Sequence, residues 1–145
     1  MPATPQVLSG YLDGYGNPAI KISVYGVVEA ARPDFEAIIN TGFSGFLMMP
    51  MASVFPLTLT LMGTADNELA DGSLISQFLA HGSVIIGEET VTGAITLGQA
   101  GDCGLLPGMG FLKKAHRSLW VNSTDVLLVH RDVEGPINQV LDSLQ

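Results

Sequence analysis

The stretch Phe35-Glu-Ala-Ile-Ile-Asn-Thr-Gly-Phe-Ser-Gly-Phe-Leu47 has the most informative pattern in this chain. Its apolar beginning, residues 35–39, predicts a short β-strand, and the turn-forming residues Asn40-Thr41-Gly42 end that strand. A Thr-Gly pair after a strand is by itself only a turn signal. Its meaning therefore depends on the segments that accompany it.

Two later segments have clear patterns of their own. Residues 68–75 place Asp71-Gly72 between strand-like runs, which is a strong local signal for a β-hairpin. Residues 105–112 read Leu-Leu-Pro-Gly-Met-Gly-Phe-Leu and lead into a predicted helix over residues 109–116. Lys113, Lys114 and His116 lie near the end of that helix, where positive charge suits the helix dipole.

The rest of the chain predicts mostly strands and turns. Residues 19–27 alternate, with Ile20, Ile22 and Val24 on one face, so they predict a half-buried strand. A turn-rich link over residues 13–18 suggests a hairpin between this strand and residues 7–12. A second hairpin is predicted around Gly87-Glu88-Glu89, joining strands 83–86 and 90–97, and two further strands, 119–121 and 125–129, flank the Asn122-Ser123-Thr124 turn. A short turn is predicted at 51–54, and helix or strand at 137–144.

Composition agrees with a mainly β protein. The chain has 145 residues, of which 47% are hydrophobic, with 17 glycines and 8 prolines. It is too apolar to be disordered and too rich in turn formers for a helical bundle. We expect one domain over residues 1–145.

Charge and motif content exclude several classes of function. Six basic and fourteen acidic side chains give a net charge of -8, which disfavours nucleic acid as a partner. No run of residues is long and apolar enough to span a membrane, and the N-terminus does not resemble a secretion signal. Cys103 is the only cysteine, so no intrachain disulfide can form. We expect a soluble cytoplasmic protein with no membrane partner.

Other chemistries have little support in the sequence. His81, His116 and His130 match no zinc-ligand spacing, so we expect no metal, and nothing indicates a cofactor. Gly104, Gly108 and Gly110 lack the Gly-Lys-Ser/Thr ending of a phosphate-binding loop, and we assign them to packing. Ser44 does not lie in a Gly-x-Ser-x-Gly elbow, which argues against serine hydrolysis.

Taken in order, the strand ending at Asn40-Thr41-Gly42, the Asp71-Gly72 hairpin and the segment 105–112 resemble the retropepsin-like aspartic proteases, especially compact microbial members. The resemblance covers roughly residues 19–129. It implies a mainly β, single-domain acid protease barrel with one short helix. Because this chain has only one such loop, the resemblance also implies a homodimer with an active site across the two-fold axis.

The resemblance assigns roles to particular residues. Asn40 occupies the position of the catalytic aspartate, Thr41 braces the two loops across the dimer, and Gly42 permits the tight turn and close approach of substrate. Ser44 is a substrate-contacting candidate. The hairpin tip, Ala70, Asp71, Gly72 and Ser73, is implied to close over a peptide or protein substrate as a flap.

Asn40 departs from the family pattern at the position that catalysis requires. Two aspartates share one proton in this mechanism, and an amide has no ionisable proton near neutral pH. The chain as written is therefore expected to be inactive. We favour an engineered Asp-to-Asn variant of an active enzyme over a natural one, and the alternative is a non-catalytic dimerisation or peptide-binding module on the same fold.

Overall fold

The computed structural model describes residues 7–28, 33–53, 57–68, 70–98, 104–133 and residue 143. Within those ranges strands dominate, which confirms the mainly β fold class. The strands are β1 (Val7–Ser9), β2 (Tyr11–Leu12), β3 (Pro18–Tyr25), β4 (Asp34–Ile38), β5 (Leu47–Pro50), β6 (Thr60–Glu68), β7 (Leu74–Ile86), β8 (Glu89–Gly98), β9 (Leu106–Pro107), β10 (Arg117–Val121) and β11 (Val126–His130). The helix α1 spans Met109–Ala115, and short 3-10 turns occupy Met51–Ser53 and Arg131–Val133.

The described strands form two sheets. The larger one has the order β2-β3-β7-β8-β5-β9, with β4 also paired to β3 and β6 also paired to β7. The smaller one has the order β1-β11-β10. Most pairs are antiparallel, but β5 runs parallel to β8. The sheets therefore combine local hairpins with pairings between strands that are far apart in sequence.

The predicted alternation along β3 is confirmed. Ile20, Ile22 and Val24 are buried, and Lys21 between them is exposed. The strand ends two residues before the predicted boundary, because the backbone at Gly26 lies against Thr58. A Cβ at Gly26 would be 2.1 Å from the Thr58 carbonyl oxygen, and the Val27 N–H donates to that oxygen at 2.9 Å.

The hairpin predicted between residues 7–12 and β3 is only partly correct. Residues 11–12 pair with β3, whereas residues 7–9 leave it and pair with β11. The division falls at Gly10, whose N–H donates to the Val126 carbonyl oxygen at 2.8 Å. A Cβ there would lie 2.3 Å from the Ala19 carbonyl oxygen, so the absence of a side chain lets this backbone pass between the two sheets.

The other predicted hairpins and the helix are confirmed, but the strand predicted at 83–86 is much longer, since β7 begins at Leu74. β7 and β8 join through Gly87, whose φ of 57° is the left-handed conformation that a tight hairpin turn uses. β10 and β11 pair on either side of the Asn122-Ser123-Thr124 turn. The helix ends at Ala115, because His116 is its C-cap with φ 55° and ψ 45°.

The core lies between the larger sheet and α1. Its fully buried side chains come from several elements, for example Ile22 of β3, Met49 of β5, Ile86 of β7, Ile95 of β8 and Phe111 of α1. Phe111 also contacts the ring of Phe46, with centroids 5.8 Å apart. The helix is therefore fastened to the sheet beside the strand that follows Asn40.

Some sequence predictions fall outside the described residues. These are the thiol of Cys103, the end of the predicted turn at Val54 and, apart from Ser143, the segment 137–144. In the described ranges no helix is long and apolar enough to cross a membrane.

Candidate functional site

The Asn40 loop is positioned by β4 and β5, which flank it, and by a segment that is distant in sequence, residues 105–107. The segment that contains Leu105 and β9 lies between β4 and β5, parallel to the first and antiparallel to the second. The Ile38 N–H donates to the Leu105 carbonyl oxygen at 2.9 Å, and the Asn40 N–H donates to the Pro107 carbonyl oxygen at 2.9 Å. Asn40 is therefore held at the point where β4 and β9 end together.

The loop is closed by hydrogen bonds to Asn40 itself. The Gly42 N–H donates to Asn40 Oδ1 at 2.9 Å, and the Phe43 N–H donates to the Asn40 carbonyl oxygen at 3.1 Å. An aspartate carboxylate can accept the same bond from Gly42, since both side chains have an oxygen at this position. The amide nitrogen Nδ2 then stands where an aspartate would have its second oxygen.

Exposure differs among the loop residues. Asn40 and Phe43 are half-buried, whereas Thr41, Gly42 and Ser44 are exposed. Gly42 does not have a positive φ. A Cβ on it would lie 3.2 Å from Asn40 Oδ1, so close approach to the asparagine side chain, rather than an unusual backbone angle, favours glycine here.

Two glycines at the start of α1 let the helix approach this loop. The Met109 N–H donates to the Phe43 carbonyl oxygen at 2.8 Å. A Cβ at Gly108 would lie 2.4 Å from that same oxygen, and one at Gly110 would lie 2.8 Å from the Gly45 carbonyl carbon. The packing role expected of these two glycines is confirmed. At Gly104 a Cβ would meet nothing within 4 Å, so the expectation was wrong there.

A cavity of about 400 Å³ opens beside Asn40. Its lining consists of Asn17, Pro18, Ile38, Ile39, Asn40, Thr41, Leu106 and Leu119. The structure therefore brings Asn40 and Thr41 together at one cavity, whose lining does not include Ser44 or residues 70–73. The contributions of Asn17, Pro18 and Leu119 were not predicted. No local motif distinguishes these residues, and they arrive through the pairing of β3 with β4 and the position of β10.

The predicted Asp71-Gly72 hairpin is the end of a longer two-stranded arm. Beyond the pairing of Phe78 with Leu97, β7 pairs only with β6 among the described residues, so residues 65–68 and 70–77 form what we call the arm. Gly72 at its tip has a φ of 85°. Leu74 on the arm and Phe78 at its base are exposed apolar side chains. The arm thus projects from the sheet and presents apolar surface.

The arm tip is organised by Asp71. Its Oδ1 accepts hydrogen bonds from the Ser73 hydroxyl at 2.6 Å and from the Ser73 N–H at 2.9 Å. These bonds stabilise the carboxylate and lower the pKa of Asp71, the hydroxyl having the larger effect. The carboxylate is fully exposed, so it shapes the turn without being part of a buried ionisable pair.

Among the residues that the structure describes, no group of three or more histidine, cysteine, aspartate or glutamate side chains is placed to hold a metal ion.

Comparison with known proteins identifies the architecture. A retropepsin-like aspartic protease from Rickettsia conorii, known from its crystal structure, matches with a TM-score of 0.61 over 90% of this chain and 97% of its own. The fold of this chain is retropepsin-like. Because the two sequences are only 13% identical, the match is evidence for the fold alone. No protein-family model and no curated protein matches the sequence.

Proposed function

We propose that this chain is the scaffold of an aspartic endopeptidase that works as a homodimer, and that the Asn40 form binds peptides without cleaving them. The observation that carries this proposal is the position of Asn40. In a retropepsin-like fold, it stands in a loop held by the Pro107 carbonyl oxygen and closed by the Gly42 N–H, with a cavity beside it.

The chemistry of peptide hydrolysis explains why two copies are needed. One carboxylate activates water as a general base while a protonated carboxyl group polarises the scissile carbonyl. The chain has one Asn40-Thr41-Gly42 loop, so a pair of such groups requires a second copy related by a two-fold axis. The exposed hydroxyl of Thr41, next to Asn40, is the group we assign to bracing the two loops against each other.

An asparagine pair cannot perform this chemistry. Removing a general base typically costs about 10²- to 10⁴-fold in rate, and here both members of the pair would be replaced. The shape of the loop is kept, because the bond from Gly42 needs only an oxygen. We therefore also propose that Asn40 is an engineered replacement of an aspartate, which stops self-cleavage while preserving the fold.

Substrate binding is assigned to the arm and the loop together. An extended peptide that lies between them can hydrogen-bond as an additional strand, and the arm can close over it. We assign Ser44 and the tip residues Ala70, Asp71, Gly72 and Ser73 to substrate contact. The exposed apolar side chains of Leu74 and Phe78 are consistent with a surface that becomes covered when a peptide binds.

The decisive experiment is the substitution Asn40→Asp. We expect it to produce endopeptidase activity on an unstructured protein, greatest at acidic to weakly acidic pH and lost once both carboxyl groups ionise. Phe43 has no hydroxyl to stabilise the charged form, so the optimum should be less acidic than that of pepsin-like enzymes. Cleavage should be blocked by a statine-type inhibitor, which mimics the tetrahedral intermediate.

The control for that experiment is the Asn40 protein, assayed after both forms are shown to fold and to dimerise equally. If the Asn40→Asp protein dimerises yet cleaves nothing, including itself, the protease proposal fails. A non-catalytic peptide-binding or dimerisation module would then be the better account. An asparagine codon at position 40 of the natural gene would favour the same alternative, whereas an aspartate codon would favour an engineered enzyme.

A further inference from the structure

A second cavity, of about 560 Å³, lies between α1 and β10 and adjoins the Asn40 loop through Thr41. Met109, Leu112 and Lys113 of α1 and its C-cap residue His116 make one wall. Leu112 and Lys113 lie three and four residues after Met109, and His116 lies four and three residues after them, so the set follows one face of the helix. The cavity is therefore a groove between a helix face and a strand, distinct in lining from the cavity beside Asn40 except for Thr41 and Leu119.

The groove is positively charged in a protein that is strongly acidic overall. Three of the six lysine and arginine residues of the chain, Lys113, Arg117 and Arg131, line it together with His116. No aspartate or glutamate is among the described residues of the lining. Against a net charge of -8, this is a local concentration of the opposite sign.

The cations of the groove have different roles. Arg117 is buried, bonded to Glu89 at 3.0 Å and to the Leu128 carbonyl oxygen at 3.1 Å, so its charge is balanced within the protein. Lys113 and Arg131 are exposed at the groove, and their charges are available to a ligand. The nearby carboxylate of Asp132 lies 3.3 Å from His130 Nδ1 and is not part of the lining.

The helix dipole opposes an anion here but is the weaker effect. The groove includes the C-terminal end of α1, which carries at most about half a negative charge, and α1 is only seven residues long. Lys113 and Arg131 contribute two full positive charges. Electrostatics therefore favours an anion in the groove.

Polar and apolar groups complete the site. The hydroxyl of Ser118 can donate a hydrogen bond to an oxyanion, whereas Met109, Leu112 and Leu119 offer an apolar wall. The volume lies within the roughly 300–1,000 Å³ range of small-molecule sites and exceeds what a bare inorganic ion would fill.

We propose that this groove binds an organic oxyanion, a small molecule with a carboxylate or phosphate group attached to an apolar body. The anionic group lies between Lys113 and Arg131, and the apolar body lies along Leu112 and Leu119. Binding requires neither hydrolysis nor an aspartate at position 40, so this site can be tested on the chain as it stands.

The test uses three probes that share one apolar body: hexanoate, hexyl phosphate and hexanol. Amide NMR spectra at low salt should show shifts at Thr41 and Ser118 with at least one of the two anions, while hexanol should bind at least about tenfold more weakly. Binding of hexanoate alone would identify a carboxylate ligand, and binding of hexyl phosphate alone a phosphate ester.

A matched pair of double substitutions completes the test. Lys113→Gln with Arg131→Gln should weaken binding of the anion at least about tenfold, because it removes both charges at the groove. Lys21→Gln with Lys114→Gln removes the same charge outside the groove lining and should change binding by less than about threefold. Unchanged spectra for residues 78–81 of β7, which none of the four substitutions alters, would show that both variants fold. The proposal is overturned if neither anion binds, if hexanol binds equally well, or if the two double variants lose affinity equally.

Discussion

At Gly108 the absence of a side chain sets the geometry of the candidate site. The backbone of Gly108 has φ -111° and ψ -165°, angles that any residue can adopt, so its need for glycine comes only from space. With no Cβ, the first residues of α1 reach the Phe43 carbonyl oxygen and hold the chain beside Asn40.

We predict that Gly108→Ala destabilises the protein by about 1–3 kcal/mol, because the new methyl group would lie 2.4 Å from the Phe43 carbonyl oxygen. The matched control is Gly104→Ala, where a methyl group meets nothing within 4 Å and should change stability by no more than about 0.5 kcal/mol. Urea midpoints of the two variants give the comparison. Equal midpoints would show that α1 can shift away from the loop without loss.

Ser73 should control the ionisation of Asp71. We predict that Ser73→Ala raises the pKa of Asp71 towards its ordinary value, since the hydroxyl bond is the main cause of the lowered pKa. The pKa of Asp71 is lower in the folded protein than in the unfolded chain, where it is about 4. Ionised Asp71 therefore stabilises the turn at pH values above about 4, and this stabilisation is lost as the pH falls through the lowered pKa. Carboxyl NMR titration measures this shift.

The internal control in that titration is Asp13, whose pKa is lowered mainly by the Asn17 N–H. It should titrate identically in both proteins. No change at Asp71 would mean that its backbone bond to Ser73 suffices.

At the scale of secondary-structure elements, the arm differs from the sheet that supports it. Residues 65–68 and 74–77 pair only with each other among the described strands, whereas β3 is paired with β4 along most of its length and with β7 at its end. A two-stranded ribbon without a packed face is marginally stable alone. The arm is accordingly the described element best suited to open and close.

We predict that the amides of residues 70–77 exchange with solvent on the order of a hundredfold faster than those of residues 20–24, because the arm can open without unfolding the core. Hydrogen exchange monitored by NMR would measure both sets in one sample. A peptide bound under the arm should slow the first set and leave the second unchanged. Equal protection in the free protein would show that the arm is a rigid structural hairpin.

At the scale of the whole molecule, the proposed function depends on a second copy. We expect sedimentation to reveal a species of twice the 15.3 kDa chain mass as concentration rises. Thr41→Val should weaken this dimer at least about tenfold, because the proposed hydroxyl bonds would be lost from both copies. Ser44→Ala, which removes another exposed hydroxyl of the same loop, is the control. Monomers at every concentration would contradict the proposed dimer.

Much of the architecture could be read from local sequence patterns. The alternation at Ile20, Ile22 and Val24, the glycine turns at Gly72 and Gly87, and the helix after Gly108 each depend on neighbouring residues. Strand period, turn conformation and helix capping are properties of a few consecutive residues, which is why these predictions hold to within about two residues at their ends.

The sequence by itself predicted many elements of this protein and its retropepsin-like fold. Only the tertiary structure decided that β9 lies between β4 and β5, that residues 7–9 join β11, and that Leu119 lines the same cavity as Asn40. It also brought Lys113 and Arg131 to one groove. Such contacts join residues far apart in the chain, and they depend on which strands pair and how closely glycine backbones approach, which no short stretch of sequence encodes.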